Sequence, residues 1–220
     1  MELNQELIER ITRLVIEKIN LQNEQSEAHG TPFTGKTSYA GYPVAKKGTN
    51  PKEVVVGVGP AFQREIKKTI NGLSLDDVLK NITAGIEEEG MIPRVVKILK
   101  TSDVCFMALE AAKISGSGIG IGIQSKGTTV IHQKDLYPLS NLELFSQAPL
   151  MTLKTYRAIG KNAAKYVKGE KVSPIEGVND PMVRANYQVK AALMHIKETE
   201  LVDVSIPMIE WRSENEISFR

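Results

Sequence analysis

The chain has 220 residues, 41% hydrophobic and 25% charged. These proportions belong to a globular protein with a buried core and exclude wholesale disorder and collagen-like order. Its 28 basic and 26 acidic side chains leave a formal charge of +2, too balanced for a surface that neutralises a nucleic-acid backbone.

The first segment, MELNQELIERITRLVIEKIN, places Leu3, Leu7, Ile8, Ile11, Leu14, Val15 and Ile19 at spacings of three and four. That is one apolar stripe on a helix over residues 1–19. Glu2, Glu6 and Glu9 near its start and Lys18 near its end suit the helix dipole. Residues 20–51 are poor in aliphatic side chains and rich in Gly, Ser, Thr, Pro and charge, the composition of a flexible linker. A stripe tethered in this way is expected to dock on a partner; folding back onto the domain is the alternative.

The body is expected over residues 52–200, followed by a C-terminal tail, 201–220. EVVVGVG from Glu53 reads as a strand, and Pro60 opens a predicted helix through FQREIKKTI. Ser74 and Asp77 form a capping-box pattern before a helix that carries Val78, Ile82 and Ile86 and stops at Gly90. PRVVKIL is the next strand, and Ser102 is the expected N-cap of a helix through Val104, Met107, Ala108 and Ala111. IGIGIQSKGTTVIHQ reads as two strands around a Ser-Lys-Gly turn; glycine within a strand signals close approach of another backbone or a ligand. Ser140 and Glu143 repeat the capping-box pattern at SNLELF, and longer helices follow in LMTLKTYRAIGKNAAKYVKGE and DPMVRANYQVKAALMHIKE. This alternation predicts a three-layer α/β/α fold with helices on both faces of a mixed sheet, plus the N-terminal amphipathic helix on its linker.

Candidate chemistry is sparse. Neither VGVGPAF nor SGSGIGIG completes G-x-G-x-x-G: Phe62 and Ile121 stand where the third glycine belongs. His29, His132 and His195 show no metal-ligand spacing. Cys105, the single cysteine, lies in an apolar helix and reads as core. No apolar run approaches the roughly 20 residues of a membrane span, and with neither a signal-type start nor a cysteine pair the expected location is cytoplasmic. Lys126, in a Gly-flanked turn, can offer a point charge to a phosphate.

Residues 52–200 nevertheless resemble the medium subunit of adenosylcobalamin-dependent diol and glycerol dehydratases. The resemblance is carried by VGPAF at 58–62, AGIEEEG at 84–90, SDV at 102–104, SGSGIGIGIQSKGTTVIHQ at 115–133, PLSNLELF at 138–145, QAPL at 147–150, IGKNAAKY at 159–166 and HIKET at 195–199. It implies a subunit without catalytic residues or metal ligands of its own. A barrel-shaped large subunit holds the substrate, and the medium subunit covers the nucleotide-tail side of adenosylcobalamin, whose own benzimidazole is the lower cobalt ligand. Homolysis of the cobalt–carbon bond then starts the conversion of a vicinal diol to an aldehyde and water. The hard chemistry belongs to the cofactor, and binding and positioning to the protein.

Matched residue by residue, the resemblance assigns Lys126 and Thr128 to the nucleotide phosphate region, Asp103 to a cobalamin side-chain amide, and Leu139, Asn141, Arg184 and Tyr187 to other cofactor-facing positions. Ser146 stands where relatives can carry proline beside the tail base, and Ala191 where they can carry serine. The chain also lacks the D-x-H-x-x-G word of proteins that supply a histidine to cobalt. Expected partners are large and small dehydratase subunits, as a dimer of heterotrimers, together with a reactivating factor. The N-terminal extension favours propanediol dehydratase, where such a helix resembles an encapsulation signal that binds a bacterial microcompartment shell protein. The competing readings are a reactivating-factor-like subunit and a nucleotide- or RNA-binding α/β module.

Overall fold

The computed structural model describes Tyr39 and residues 42–211. The expected helix over 1–19, most of the expected linker and residues 212–220 lie outside the described residues. The chain divides between residues 41 and 42 into two units, and every strand and helix named below belongs to the second.

Six strands form one mixed sheet: β1 (Glu53–Val58), β2 (Ile92–Lys97), β3 (Ile119–Ile123), β4 (Thr129–Gln133), β5 (Glu143–Phe145) and β6 (Ile209–Glu210). Their spatial order is β5-β4-β3-β1-β2-β6. β1 is parallel to both β2 and β3, with Val56 opposite Val95 on one side and Ile121 on the other. β4, β5 and β6 pair antiparallel to their neighbours. The helices are α1 (Leu75–Glu88), α2 (Val104–Ile114), α3 (Leu153–Lys168) and α4 (Pro181–Glu200).

The layers arise from the connections. β1-α1-β2 steps to one side of β1, and β2-α2-β3 steps back over it to the other. Right-handed crossovers in opposite directions put α1 and α2 on opposite faces. Val55, Val96, Ile98, Met107 and Ala111 form a fully buried cluster beneath α2. The glycines of β3 face this helix: a β-carbon at Gly120 would collide with the Ala112 amide, and one at Gly122 would sit 2.5 Å from the Ala108 nitrogen. The neighbour that the strand glycines accommodate is thus a helix backbone. On the opposite face α1 crosses α3 at a second glycine contact, where β-carbons at Gly85 and Gly160 would meet the carbonyls of Arg157 and Ile82.

Several local expectations change. Residues 60–73 form bridged turns in place of a helix: Phe62 pairs with Ile66, and Gln63 sits at φ 59°. Ala61, Phe62, Ile66 and Ile70 are still buried, but tertiary partners take the backbone. Ala61 N donates to Glu198 Oε1 at 3.3 Å and Phe62 O accepts from Lys97 Nζ at 2.7 Å. Ser74 occupies the N-cap of α1 without a capping hydrogen bond. Asp103, one residue after Ser102, caps α2, its Oδ1 accepting from the Cys105 and Phe106 amides at 2.8 and 3.1 Å. At SNLELF there is no helix start. Glu143 opens β5 and points inward, where it accepts from Asn162 Nδ2, Tyr166 OH and Ile175 N.

Within the expected linker, Pro43, Val44 and Ala45 run along the sheet edge. Ala45 N donates to Met208 O and Glu210 N to Pro43 O, both at 2.8 Å, and Val44 bridges Ile209. The segment from 201 contributes β6 and the buried Trp211, which stacks on Tyr42 at a centroid distance of 5.4 Å. Two short pieces distant in sequence complete one edge together, although neither has a hydrophobic pattern of its own. Among the described residues no helix is long and apolar enough to cross a membrane.

Candidate functional site

The carboxyl ends of β1, β2 and β3 point to one end of the sheet. β5, antiparallel to an antiparallel strand, delivers Ser146 to the same end, and α4 lies across it. A cleft of about 460 Å³ opens there between α4, the β3–β4 turn and the segment after β5. Lys126, Thr128, Ser146, Arg184, Tyr187 and Ala191 all line it.

The β3–β4 turn is held from several sides. Gln124 N donates to Thr128 O at 3.0 Å and Gly127 N to Gln124 O at 2.8 Å. Gly127 has φ 107°, a left-handed conformation that favours glycine, and its carbonyl accepts from Tyr156 OH at 3.0 Å and Thr129 Oγ1 at 2.9 Å. Tyr156, on α3, is fully buried, and that burial pushes its phenol well above the ordinary range. The turn therefore presents Lys126 from a rigid support. Partial burial lowers the Lys126 ammonium pKa, an effect that the Glu198 charge opposes.

The opposite wall is tied to the same turn. Lys190 Nζ on α4 donates to Ile70 O at 2.6 Å, and Ile70 N donates to Lys126 O at 3.1 Å. Asp180 caps α4 through the Met182 amide at 2.9 Å, while its own amide donates to Gln147 Oε1 at 3.2 Å. Arg184 and Tyr187, three residues apart, consequently share the α4 face toward the cleft.

The other expected residues lie elsewhere. Asp103 is exposed at the start of α2, on the same end of the sheet; its neighbour Ser102 accepts at O from Gln124 Nε2 at 2.6 Å. Leu139, 73% exposed, and Asn141 belong to the loop between β4 and β5 and do not line the cleft. That loop rests on the fully buried His132, whose Nε2 lies 3.2 Å from both Tyr137 O and Pro138 O. Ile70, Gln147, Ala148, Pro149 and Gln188 also line the cleft, and the sequence singles out none of them individually. The word QAPL at 147–150 carries the signal for three of them. Ile70 carries none, because its place depends on the irregular 60–73 segment.

Chemically the cleft joins two cations, Lys126 and Arg184, and the Thr128 hydroxyl to the apolar surfaces of Ile70, Ala148 and Pro149 and the ring of Tyr187. This donor set suits an anionic group attached to a flat, largely apolar body, and so fits the phosphate and base of a nucleotide tail. A second cleft of about 510 Å³ adjoins it across Ser146 and Gln147, between β5 and residues 174–179. Beneath it Tyr166 has its phenol pushed up to about 12 by burial and then by the charge of Glu143.

Among solved structures, a glycerol dehydratase reactivase is 18% identical, with a TM-score of 0.45 over 60% of this chain and 96% of that one. A diol dehydratase-reactivating factor complexed with ADP and Mg2+ is 23% identical, with a TM-score of 0.42 over 58% and 99%. The sequence profile described as dehydratase medium subunit matches residues 59–173, a span from the end of β1 to just beyond α3 that contains the β3–β4 turn, and on that match the chain belongs to the dehydratase medium subunit family.

Proposed function

We propose that this chain is the medium subunit of a propanediol dehydratase and that its cleft takes the nucleotide tail of adenosylcobalamin. A medium subunit presupposes larger and smaller partner subunits, and the reading makes it the wall that closes the lower side of the cofactor. The observation that carries it is the meeting of Lys126, Thr128, Ser146, Arg184 and Tyr187, drawn from three separate parts of the sequence, on one cleft. When bound, the cofactor supplies the radical chemistry that removes water from 1,2-propanediol or glycerol.

Within this reading each group of the chain has a binding task. Lys126 and Arg184 neutralise the tail phosphate, and Thr128 Oγ1 adds a hydroxyl donor. The Tyr187 ring and Pro149 would offer apolar surface to the base. Ser146 and Ala191 line the same space, so both departures from the family pattern fall where they alter contacts with the tail. Asp103, Leu139 and Asn141, outside the cleft, would serve parts of the cofactor beyond the tail.

The assembly proposed is a dimer of heterotrimers that is served by a reactivating factor and packed in a bacterial microcompartment through residues 1–19. Co-expression with the large and small subunits, followed by purification and an absorption spectrum, tests it. The complex should retain cobalamin and dehydrate 1,2-propanediol, whereas this chain with adenosylcobalamin alone should not. Turnover by the isolated chain, or a complex that forms but retains no cobalamin, would overturn the reading.

A further inference from the structure

In a doubly wound sheet the connections leave in opposite directions from one pair of strands, and the crevice beyond their carboxyl ends is where this architecture takes a ligand's anionic group. Here that pair is β1 and β3, since α1 and α2 lie on opposite faces. The crevice between the loops after β1 and β3 is filled by Glu198, from the last turn of α4. Glu198 Oε1 accepts from Ala61 N at 3.3 Å and Oε2 from Ser125 N at 3.0 Å. The residue is 2% exposed. A β-carbon at Gly59 would collide with its carboxylate, so this glycine leaves the space that the carboxylate enters. The fully buried Ser125 hydroxyl faces it, and the charges of Lys97 and Lys126 act on it. Burial raises the Glu198 carboxyl pKa, and the hydrogen bonds from Ser125 and Ala61 and the Lys97 charge oppose that rise. Both oxygens receive backbone N–H groups, the acceptor pattern that a carboxylate satisfies.

We propose that the β1–β3 crevice is an anion-binding site that the chain occupies with its own Glu198 carboxylate, which latches the end of α4 in the position where related architectures hold a ligand's phosphate. The latch has two consequences. A nucleotide phosphate from outside finds its usual place taken, which counts against the nucleotide-module reading of the fold. The same latch holds α4 across the sheet end, so that Arg184 and Tyr187, further up the helix, face Lys126. The latch depends on the geometry of the crevice alone and is independent of what the neighbouring cleft binds.

The test is chemical rescue in the full chain. Glu198→Ala should lower the melting temperature by several degrees, and sodium formate or sodium phosphate should restore part of that loss saturably. Sodium chloride at equal ionic strength and formamide, which lacks the charge, should not. Wild type should respond less than the variant, since only the neighbouring Lys126–Arg184 cleft is then open to an anion. Equal responses in wild type and variant, rescue by formamide as effective as by formate, or no rescue at all would overturn the proposal. If Glu198→Ala does not fold, Glu198→Gln supplies the test through amide hydrogen exchange. A carboxamide offers one oxygen acceptor and turns an N–H donor toward the second amide, so either Ala61 or Ser125 should lose protection. Full protection of both would again overturn it.

Discussion

The side chains that matter most are defined by their supports. Lys126 lies in a hairpin turn whose carbonyl at Gly127 is gripped by Tyr156 and Thr129, so its ammonium is presented rather than left to wander. Under the proposed function, Lys126→Ala in the assembled complex should weaken cobalamin retention by roughly ten- to a hundredfold, from a charge-assisted hydrogen bond of about 1.5–3 kcal/mol. The rate at saturating cofactor should change less. Cofactor titration is the measurement, and an unchanged affinity would make Lys126 a solvated turn residue. Cys105 shows the opposite use of environment. Burial first, and then the Asp103 charge, raise its thiol pKa, so less thiolate is present at neutral pH than in a free cysteine. Its reaction with iodoacetamide at pH 7 should therefore be slower than that of free cysteine and should climb only as the pH passes above the ordinary thiol range. A rate matching or exceeding that of free cysteine would show that the thiol is activated.

Helices and strands here are spaced by glycine. Gly120 and Gly122 let α2 settle onto β3, and Gly85 and Gly160 let α1 and α3 touch backbone to backbone. In both places the obstructing atoms belong to the main chain and cannot rotate away. Gly120→Ala should therefore cost about 1–3 kcal/mol in urea unfolding, because relief requires α2 to move off the sheet. Tyr156→Phe should cost about 1 kcal/mol by the same measurement, since it removes a buried hydrogen bond while Thr129 still satisfies the Gly127 carbonyl. A neutral Gly120→Ala substitution would show that the helix–sheet spacing is adjustable.

For the whole molecule, the question is which parts belong to the body. Pro43 and Ala45 bond to Glu210 and Met208, Val44 bridges Ile209, and Trp211 packs on Tyr42, so the body draws on both flanks of the 52–200 stretch. The apolar stripe of residues 1–19, by contrast, is separated from the body by a polar segment. Under the encapsulation reading, removal of residues 1–35 should leave melting temperature and assembly near wild type and abolish co-localisation with shell proteins. Changing Leu7, Ile11 and Leu14 together to polar residues should act alike. A melting temperature lower by several degrees in the truncated subunit would instead assign the helix to the folded body.

What the sequence determined by itself is what neighbouring residues decide among themselves. The alternation and β-branching of β1–β4, the four-residue spacing within α1, and the periodic apolar positions of α2 and α3 are local patterns, and the elements follow them. The family words around QSKGTTVIHQ pointed to the turn that proved to line the cleft. Tertiary structure alone decided the segments whose backbone groups bond far away in the chain. Residues 60–73 have helical spacing at Phe62, Ile66 and Ile70, yet Ala61 bonds to a carboxylate 137 residues on, and a buried donor with such a partner outweighs helix propensity. Glu143 abandoned its cap for Asn162, Tyr166 and Ile175 for the same reason. The convergence of Lys126, Ser146 and Arg184 was expected only through the family resemblance, because no local pattern in the linear order connects them. It arises from the antiparallel return of β5 and from Glu198 seating α4 in the crevice, and each of these is a contact between residues that no local pattern connects.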